Sequence, residues 1–252
     1  MLNISIIIPT KDEEKNLNFL LSDITNQSWN NLSYELIVAD ANSKDKTLKI
    51  AKKFNANIVQ GGIPSIGRNN GAKIAKGKIL FFLDADVRIK NKNFFYKSYK
   101  EFLKKRLDCS VIDNYPIIPK GINNSKKALI KFIFDFSNLF IRLSQKSKNP
   151  RANGTCIIFK KEVFSKLKGF NKKIYFGEDS EIVKRAVKKG YKFSVLNKKL
   201  YIHTSIRRVL KKGVLKYIKD VFILDFYRLM VGEINSKKLY SNITKIQDHF
   251  EK

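Results

Sequence analysis

Short apolar runs alternate with amphipathic segments in the first third of the chain. The run Ile-Ser-Ile-Ile-Ile at 4–8 leads into Pro9-Thr10, a pattern that predicts a buried strand followed by a loop. The next apolar residues have helical spacing and predict a helix over 14–24. The same criteria predict strands at 34–39, 57–59 and 78–83 and helices at 43–54 and 66–75. This alternation is typical of a doubly wound α/β sheet, in which ligands bind beyond the carboxyl ends of the strands.

The segment 128–143 predicts a helix of a different kind. Its polar residues Lys131, Asp135, Asn138 and Arg142 recur at steps of four, three and four, so they form one stripe on an otherwise apolar helix. At ~1.5 Å per residue this helix spans roughly 24 Å, which is short of the ~30 Å hydrocarbon core of a bilayer. Two interpretations of the apolar face remain open, namely burial against the rest of the protein and docking on a membrane surface.

The segment 209–234 is apolar with a basic beginning. Four lysines lead into its apolar part, which Asp225 and Arg228 interrupt; they are Lys211, Lys212, Lys216 and Lys219. We interpret the segment as a basic amphipathic helix or helix pair and not as a membrane anchor.

The bulk composition predicts a globular protein. The 252 residues are 43% apolar and 12% aromatic, which is enough for one domain with its own core. Cys109 and Cys156 are too far apart for a C-x-x-C motif, and we expect both to be reduced core residues. The chain has no run of about 18 apolar residues and no signal peptide at its start, so we expect a cytoplasmic location.

The net charge of +29 comes almost entirely from lysine, because the chain has only nine arginines. Abundant lysine, isoleucine and asparagine are typical of an AT-rich genome, but that bias does not explain the shortage of acidic residues. The shortage favours a protein that lies close to an anionic surface such as a membrane. Nucleic acid is a less favoured partner, because no module with interleaved arginines and aromatic residues is present.

Asp84 and Asp86 follow the predicted strand 78–83. Two carboxylates at i and i+2 can point into one crevice if the chain turns there, and paired oxygen ligands suit Mg²⁺ or Mn²⁺. An acidic pair at a strand end is more often a simple turn. The position of this pair, after a complete set of strand and helix units, favours a ligand site over a turn.

Several segments, in chain order, resemble glycosyltransferase family 2, whose fold is called GT-A. The resemblance covers most of the chain, with Asp12 standing where the family usually has asparagine. The segments that carry it are Ile6-Ile7-Ile8-Pro9-Thr10-Lys11-Asp12-Glu13-Glu14, the stretch 35–47 with Asp40, Ser43, Asp45 and Thr47, the stretch 67–77 followed by 79–86 with its Asp-x-Asp triplet, and the later pairs Gly154-Thr155, Val163-Phe164, Gly169-Phe170, Gly177-Glu178-Asp179 and Gly190-Tyr191.

The resemblance implies a nucleotide-diphosphate sugar as the donor. Residues that would line its nucleoside pocket are Pro9, Thr10, Glu13 and Asp40. For Glu13 the alternative is an ordinary acidic first turn of a helix.

The resemblance also implies contacts with the diphosphate. Asp84 and Asp86 would reach it through Mn²⁺ or Mg²⁺, with Asp86 the more direct metal ligand. Arg68 would pair with a phosphate, unless it is an exposed arginine at the start of a helix.

The second half of the resemblance concerns the acceptor. Asp179, next to Glu178, would be the general base that takes a proton from an acceptor hydroxyl. An acceptor phosphate needs no base, so this motif favours a hydroxyl acceptor. The alternative for both carboxylates is that they only begin a helix.

A basic residue on a mobile loop would close over the diphosphate, and the resemblance assigns Arg207 or Arg208 to this role. The transfer is loose here because the family's Gln-x-x-Arg-Trp form is absent. His203 is a further candidate for contact with the metal or a phosphate, although a lone histidine at a strand end is more often structural.

We therefore expect an inverting glycosyltransferase whose acceptor is a lipid-linked or surface saccharide, at work in the cytoplasm on the inner face of the membrane. The expected division is a GT-A domain at 1–205, with a nucleotide-sugar half at 1–90 and an acceptor half at 91–205, and a basic amphipathic segment at 206–252.

Three other functions fit the sequence less well. A sugar-phosphate nucleotidyltransferase would have a glycine-rich loop after the first strand, and Pro9 to Glu14 contains no glycine. A polyprenyl-phosphate sugar synthase needs no base. A basic binding protein with a degenerate site would not need the intact acidic set.

Overall fold

The computed structural model describes residues 2–244; residues 245–252, which include the end of the predicted segment 206–252, lie outside this range. The strands are β1 (Ile4–Thr10), β2 (Tyr34–Asp40), β3 (Asn57–Gln60), β4 (Ile79–Leu83), β5 (Val87–Arg88), β6 (Cys109–Val111), β7 (Asp113–Ile117), β8 (Cys156–Lys160), β9 (Phe193–Val195) and β10 (Tyr201–Ser205). The helices are α1 (Glu14–Thr25), α2 (Thr47–Lys53), α3 (Pro64–Ile74), α4 (Phe94–Lys104), α5 (Asn124–Ser144), α6 (Lys161–Lys166), α7 (Glu178–Lys188), α8 (Arg207–Lys212), α9 (Val214–Met230) and α10 (Lys237–Thr244).

Seven strands form the main sheet, in the order β3-β2-β1-β4-β8-β6-β9. Neighbouring strands are parallel except on both sides of β8, which runs antiparallel to β4 and β6. Helices cover both faces, so the expected α/β architecture with a mostly parallel sheet is confirmed.

The sequence of β1 explains its position at the centre. Ile4, Ile6 and Ile8 pack into one core layer with the inner residues of α1, whereas Ile7 packs into the opposite layer with Phe82 and other residues. A strand that is buried on both faces is apolar almost throughout, as this one is. It extends two residues beyond the predicted end, because Pro9 and Thr10 still pair with Ala39 and Asp40 of β2.

A small second sheet joins β5, β10 and β7. β10 runs antiparallel to β5, which starts directly after Asp86, and the Ser205 amide donates to the Asp86 carbonyl at 3.1 Å. This sheet therefore brings the end of β10, and with it the start of α8, to the Asp84-Ala85-Asp86 turn.

The helix predicted at 43–54 begins only at Thr47. Residues 43–46 form a turn because side chains compete for the backbone: the Ser43 amide donates to Asp40 at 2.9 Å and the Thr47 amide donates to Asp45 at 2.9 Å. The predicted helix or helix pair at 209–234 is a pair, α8 and α9, and Gly213 separates the two helices with a positive φ of 85°.

Helix α5 is longer than predicted, and two residues of its polar stripe, Asn138 and Arg142, face the protein, whereas Lys131 and Asp135 are exposed. Asn138 donates to the Asn114 carbonyl at 2.8 Å and accepts from the Asn114 amide at 3.2 Å, and Arg142 donates to Asp113 at 2.7 Å. The phenylalanines on the opposite side are exposed. Burial of the apolar face, one of the two open interpretations, is not what the described residues show.

Cys109 and Cys156 are buried free thiols, as expected for core residues. Within residues 2–244, none of the helices combines the length and the apolar character needed to cross a bilayer.

Candidate functional site

The predicted donor residues meet at one edge of the main sheet. β1, β2 and β4 are parallel and end at Thr10, Asp40 and Leu83, so the residues that terminate them share this edge. Asp84 follows β4 directly, and its amide donates to the Thr155 carbonyl at 3.2 Å. The crevice outside these strand ends is where ligands bind in open α/β sheets.

Asp40 is held firmly in this crevice. Its carboxylate accepts from the Thr10 hydroxyl at 3.2 Å, from the Ser43 hydroxyl at 2.5 Å and from the Ser43 amide at 2.9 Å. Asp12 closes the same turn, because its carboxylate accepts from the Lys44 amide at 2.7 Å. Its φ of 51° is a value that Asp and Asn tolerate better than most residues, so either suits this position.

Glu13 lies just before α1 and is buried. It accepts from the Asn16 side chain at 2.7 Å and pairs with Arg207, the first residue of α8. The acidic residue in the first turn of α1 is Glu14, so the helix-turn alternative applies to Glu14 and not to Glu13. The Glu13–Arg207 ion pair joins the first loop of the chain to the start of α8.

Arg68 lies at the centre of the site. One guanidinium nitrogen donates to Asp179 at 2.8 Å and to Glu178 at 3.1 Å, and the other donates to Asp84 at 2.8 Å and to the Gly154 carbonyl at 3.1 Å. The residue is only 2% exposed. The alternative of an exposed arginine is therefore wrong, and contact of Arg68 with a phosphate remains a prediction.

Two glycines let the Asp179 carboxylate come close to Arg68 and to the backbone of Gly154. α7 begins after Gly177, which has a φ of +80°, and a Cβ atom on Gly154 would lie 2.3 Å from Oδ2 of Asp179. Arg228 of α9 donates to the Gly177 carbonyl at 3.0 Å. The start of α7 is thus held from one side by α3 through Arg68 and from the other by α9.

The carboxylates of the site repel one another in a dry environment. Burial raises the pKa of Asp179 to about 8, and the charges of Glu178 and Asp84 act in the same direction against the lowering effect of Arg68. Burial and the charge of Asp84 likewise raise the pKa of Asp86 to about 6. One buried guanidinium does not neutralise this much negative charge, so the site can accept a further cation.

Asp84 and Asp86 fit a divalent ion by their chemistry and position. Both supply carboxylate oxygens at the same strand end. Burial, together with the charge of Asp84, raises the pKa of Asp86, and a bound cation would favour its ionised form. Among residues 2–244, no three His, Cys, Asp or Glu side chains form a metal-binding group. Two protein ligands leave room for the oxygens of a diphosphate, which is typical of Mg²⁺ and Mn²⁺ sites.

His203 does not form such a group with the two aspartates. It lies on β10 opposite Arg88, and its ring packs edge-on against Tyr201 at 5.4 Å between centroids. Burial lowers its pKa. Its buried Nδ1 has no hydrogen-bond partner among the described residues. Contact of His203 with a metal ion or a phosphate remains a prediction.

Arg207 and Arg208 both lie close to the acidic turn. Besides its contact with Glu13, Arg207 lies 3.8 Å from Oδ2 of Asp86, and the charge of Arg208 acts to lower the pKa of Asp86. The structure therefore brings both predicted arginines to the Asp84-Ala85-Asp86 turn.

Three further residues that shape the site were not predicted from the sequence. Arg228 holds the start of α7, and Gly154 leaves room for the Asp179 carboxylate. Asn69 bonds both backbone groups of Phe170, whose ring lies 5.4 Å from the Arg68 guanidinium. A signal for Arg228 was present, since an arginine within an apolar helix needs a buried partner. No comparable signal marks the close approach of Asp179 to Gly154.

Comparison with known proteins agrees with this geometry. The family model described as "Glycosyl transferase family 2" matches residues 5–168, and a second model, described as "N-terminal domain of galactosyltransferase", matches residues 136–209. Poly(ribitol-phosphate) beta-N-acetylglucosaminyltransferase TarP of Staphylococcus aureus is 28% identical over 147 residues, which are 55% of this chain and 43% of that protein. The 4,4'-diaponeurosporenoate glycosyltransferase of Staphylococcus haemolyticus is 27% identical over 63% of this chain and 44% of that protein. The chain thus spans less than half the length of these relatives.

Solved structures show the same fold. The mannosyltransferase PcManGT from Pyrobaculum calidifontis, in complex with GDP-Man and Mn²⁺, has a TM-score of 0.69 at 16% identity, over 96% of this chain and 68% of that one. Residues 1–349 of S. aureus TarS in complex with UDP-GlcNAc have a TM-score of 0.62 at 18% identity, over 96% and 70%. Since the family model covers well over half of the 252 residues and the fold agrees, this chain belongs to glycosyltransferase family 2.

Proposed function

We propose that this protein transfers a sugar from a nucleotide-diphosphate donor to an acceptor hydroxyl, with inversion at the anomeric carbon. The observation that carries the proposal is the pairing of Asp84 and Asp179 with the same buried Arg68, at 2.8 Å each. Because both bind the same guanidinium, the proposed donor residue Asp84 and the proposed base Asp179 are held at a fixed distance from each other. A transfer reaction needs the leaving group and the base in such a fixed arrangement.

The donor side supplies binding and charge. Asp40 and Glu13 are buried carboxylates at the ends of β1 and β2 that would accept hydrogen bonds from the nucleoside, with Pro9 and Thr10 beside them. A divalent ion on Asp84 and Asp86 would neutralise charge on the departing diphosphate. Mn²⁺ bound in PcManGT and in glucosyl-3-phosphoglycerate synthase from Mycobacterium tuberculosis supports such an ion here, either Mn²⁺ or Mg²⁺.

Arg207 and Arg208 would contact the diphosphate from the other side. In the structure Arg207 pairs with Glu13 and lies near Asp86, so it can exchange these partners for phosphate oxygens when the donor binds. Planar guanidinium groups are well suited to such oxygens.

Asp179 takes the proton of the acceptor hydroxyl. The oxygen attacks the anomeric carbon while the bond from that carbon to the diphosphate oxygen breaks, and the proton moves to the Asp179 carboxylate. Its raised pKa strengthens it as a base once it is ionised, and the hydrogen bond from Arg68 holds it in place.

For the acceptor we propose a class of molecule and not a single compound. A GalNAc(5)-diNAcBac-PP-undecaprenol beta-1,3-glucosyltransferase of Campylobacter jejuni, 33% identical over 34% of this chain, supports a lipid-linked saccharide as the acceptor here. An anionic membrane surface is the corresponding proposed partner, with the protein on the cytoplasmic side. We also propose that 1–90 binds the donor, that 91–205 binds the acceptor, and that 206–252 is a basic segment outside these two halves.

The test is Asp179→Asn, with Asp135→Asn on the exposed side of α5 as a matched control. We expect transfer to fall by about 10²- to 10⁴-fold in Asp179→Asn, because general-base catalysis is lost. The donor dissociation constant, measured by calorimetry, should change by less than about threefold, because the base contributes to the transition state and not to ground-state binding.

Loss of donor binding in Asp179→Asn would move that residue to the donor pocket and remove the proposed base. Release of pyrophosphate from a nucleoside triphosphate and a sugar phosphate would identify a nucleotidyltransferase instead. Full activity of Asp179→Asn towards a polyprenyl phosphate would point to an acceptor that needs no base.

A further inference from the structure

Exposed apolar side chains are concentrated on two helices. Among the residues that the structure describes, eleven large apolar side chains are at least 48% exposed, and ten of them lie on α5, on α9 or directly after α9. The ten are Phe132, Phe136, Leu139, Phe140, Leu143, Leu215, Phe222, Phe226, Met230 and Val231. Single exposed apolar residues are normal, but a concentration of this size marks an interaction surface. We call these ten side chains the α5–α9 face.

The orientation of α5 is fixed by its polar side, not by its apolar side. Asn138 makes two hydrogen bonds to the backbone of Asn114, and Arg142 bonds Asp113 and the Leu196 carbonyl. Rotating the helix to bury its phenylalanines would break these bonds inside the protein, at a cost for each polar group left unpaired. The exposed side is therefore a built feature of the fold.

The phenylalanines of both helices form regular ridges. Phe132, Phe136 and Phe140 follow each other at one-turn intervals on α5, with ring centroids 6.3 and 6.5 Å apart. Phe222 and Phe226 repeat the arrangement on α9 at 6.5 Å. Aromatic ridges along helices that lie flat on a surface are typical of interfacial membrane binding.

α5 and α9 are held together as one unit. Ile130 of α5 packs with Ile206 and Val209, and Val214 and Tyr217 of α9 pack against this cluster. An ion pair of 3.0 Å between Arg151, which follows α5, and Asp225 of α9 adds a second link. The two ridges therefore lie on helices that are linked to each other through the protein.

The residues around the α5–α9 face are mostly basic, which favours an anionic partner. The segments 120–150 and 207–231, which carry the two helices, contain fourteen basic and three acidic residues. Two of the three acids are already neutralised, because Asp220 pairs with Lys212, and Asp225 pairs with Arg151 and Arg228. A second copy of the chain would bring the same lysines against each other, since a two-fold interface is self-complementary.

We propose that the α5–α9 face docks the protein on an anionic lipid bilayer, with the aromatic ridges at the acyl boundary and the flanking lysines at the headgroups. Apolar area and cationic charge are the two contributions that interfacial helices combine. The lysines that serve this purpose are exposed on α5, in the turn that follows it and on α8 and α9; they are Lys126, Lys127, Lys131, Lys146, Lys148, Lys211, Lys216 and Lys219.

Docking would also place the catalytic crevice near the membrane, a consequence that rests on the proposed function. Arg228 of α9 bonds the Gly177 carbonyl, and Gly177 immediately precedes Glu178 and Asp179. The helix that would contact lipid thus supports the loop that carries the base. A lipid-linked acceptor could then reach the crevice without leaving the bilayer.

The experiment is flotation with vesicles of phosphatidylglycerol and phosphatidylcholine, and with vesicles of phosphatidylcholine alone. The wild type should float with the anionic vesicles at low salt and should be released at high salt, which screens the lysines. Phe132→Ser/Phe136→Ser/Phe140→Ser should bind at least about tenfold more weakly, because the ridge on α5 is lost. Lys216→Gln/Lys219→Gln, which keeps the apolar ridge, should weaken binding to the anionic vesicles in the same direction.

The matched control is Phe19→Ser/Ile74→Ser/Leu103→Ser, which removes three apolar side chains that are 43–49% exposed elsewhere on the protein. It should bind like the wild type. Absence of wild-type flotation at low salt, or equal losses in the control and the α5 variant, would overturn the proposal. So would a dimer in lipid-free light scattering that only the α5 variant abolishes. Donor binding without vesicles, measured on the same variants, is independent of docking and separates this failure from failure of the proposed function.

Discussion

The crevice and the α5–α9 face depart from the usual burial of side chains in opposite directions. The crevice buries an arginine and several carboxylates, whereas the face exposes a row of phenylalanines to solvent. Charged side chains are seldom buried and large apolar patches are seldom exposed in monomeric proteins, so both regions cost stability. In the crevice, hydrogen bonds offset that cost within the protein. On the face, none of residues 2–244 covers the exposed rings, and this favours an external partner.

A further contrast lies between α1 and α5, which are both amphipathic. α1 buries Leu17, Leu20, Leu21 and Ile24, as periodicity predicts. α5 buries Ile130, Asn138 and Ile141 and exposes most of its apolar residues. Periodicity therefore identifies two different helix faces, but the partners of the polar residues decide which face points inward.

The largest expected effect on stability is in the crevice. Arg68→Met leaves the half-buried carboxylates of Asp84, Glu178 and Asp179 without the cation that they share, and at pH 8 this should lower the free energy of unfolding by about 3–5 kcal/mol. Urea unfolding measures the difference. Arg106→Met is the control, because Arg106 is exposed and should tolerate the change. Equal stability of Arg68→Met and the wild type would mean that the carboxylates do not depend on Arg68.

The next effect concerns the polar side of α5. Asn138→Leu makes the helix more apolar, yet it should destabilise the protein by about 1–3 kcal/mol, because the Asn114 amide and carbonyl lose their partner. The neighbouring change Leu139→Asn, on the exposed side, should have almost no effect. If Asn138→Leu were the more stable protein, the assigned orientation of α5 would be contradicted.

A smaller effect is expected from pH. Asp179 must be ionised to act as a base, and its pKa is raised to about 8, so kcat/KM should rise roughly tenfold from pH 6 to pH 7 and level off above about 8. Stability should move in the opposite direction. Asp179 and Asp86 bind protons in the folded state up to higher pH than in the unfolded chain, so the free energy of unfolding should fall as pH rises from about 4 to about 8.

Chemical unfolding across this pH range, together with initial rates, measures both trends. In Asp179→Asn the fall in stability should become shallower, since one of the two groups no longer titrates. Stability that rose over the same range would show that the carboxylates are stabilised by the fold, contrary to their burial.

The smallest effect is expected on the exposed ridge. Phe136→Ser should change the free energy of unfolding by less than about 0.5 kcal/mol, because the ring lies in solvent. Phe102→Ser, on the buried side of α4, should cost about 3–5 kcal/mol as a comparison. A large loss of stability in Phe136→Ser would show that something covers this side of α5 in solution.

The sequence was a good guide where local pattern and tertiary structure agree. β1, α1 and β4 lie within two residues of their predicted ends, and the order of strands and helices was enough to place Asp40, Asp84 and Asp86 at one sheet edge. The turn before α2 was missed, because Asp40, Ser43 and Asp45 bond the backbone there and delay the helix. The orientation of α5 depends on Asn114 and Asp113 of β7, which lie at least 24 residues away in sequence. Arg68 could not be recognised as the centre of the site because its partners come from three distant segments.

The decisive measurement is a calorimetric titration of the wild type and of Asp86→Asn with nucleotide sugars, UDP-GlcNAc and GDP-mannose first, in the presence of Mn²⁺ or of EDTA. We predict saturable binding of a nucleotide-diphosphate sugar to the wild type with Mn²⁺, and weakening by about tenfold or more in EDTA or in Asp86→Asn, because both remove the cation that would neutralise the diphosphate. Failure of every nucleotide sugar and nucleoside diphosphate to bind the folded wild type with Mn²⁺ or Mg²⁺ would contradict the assignment of the crevice as a donor site.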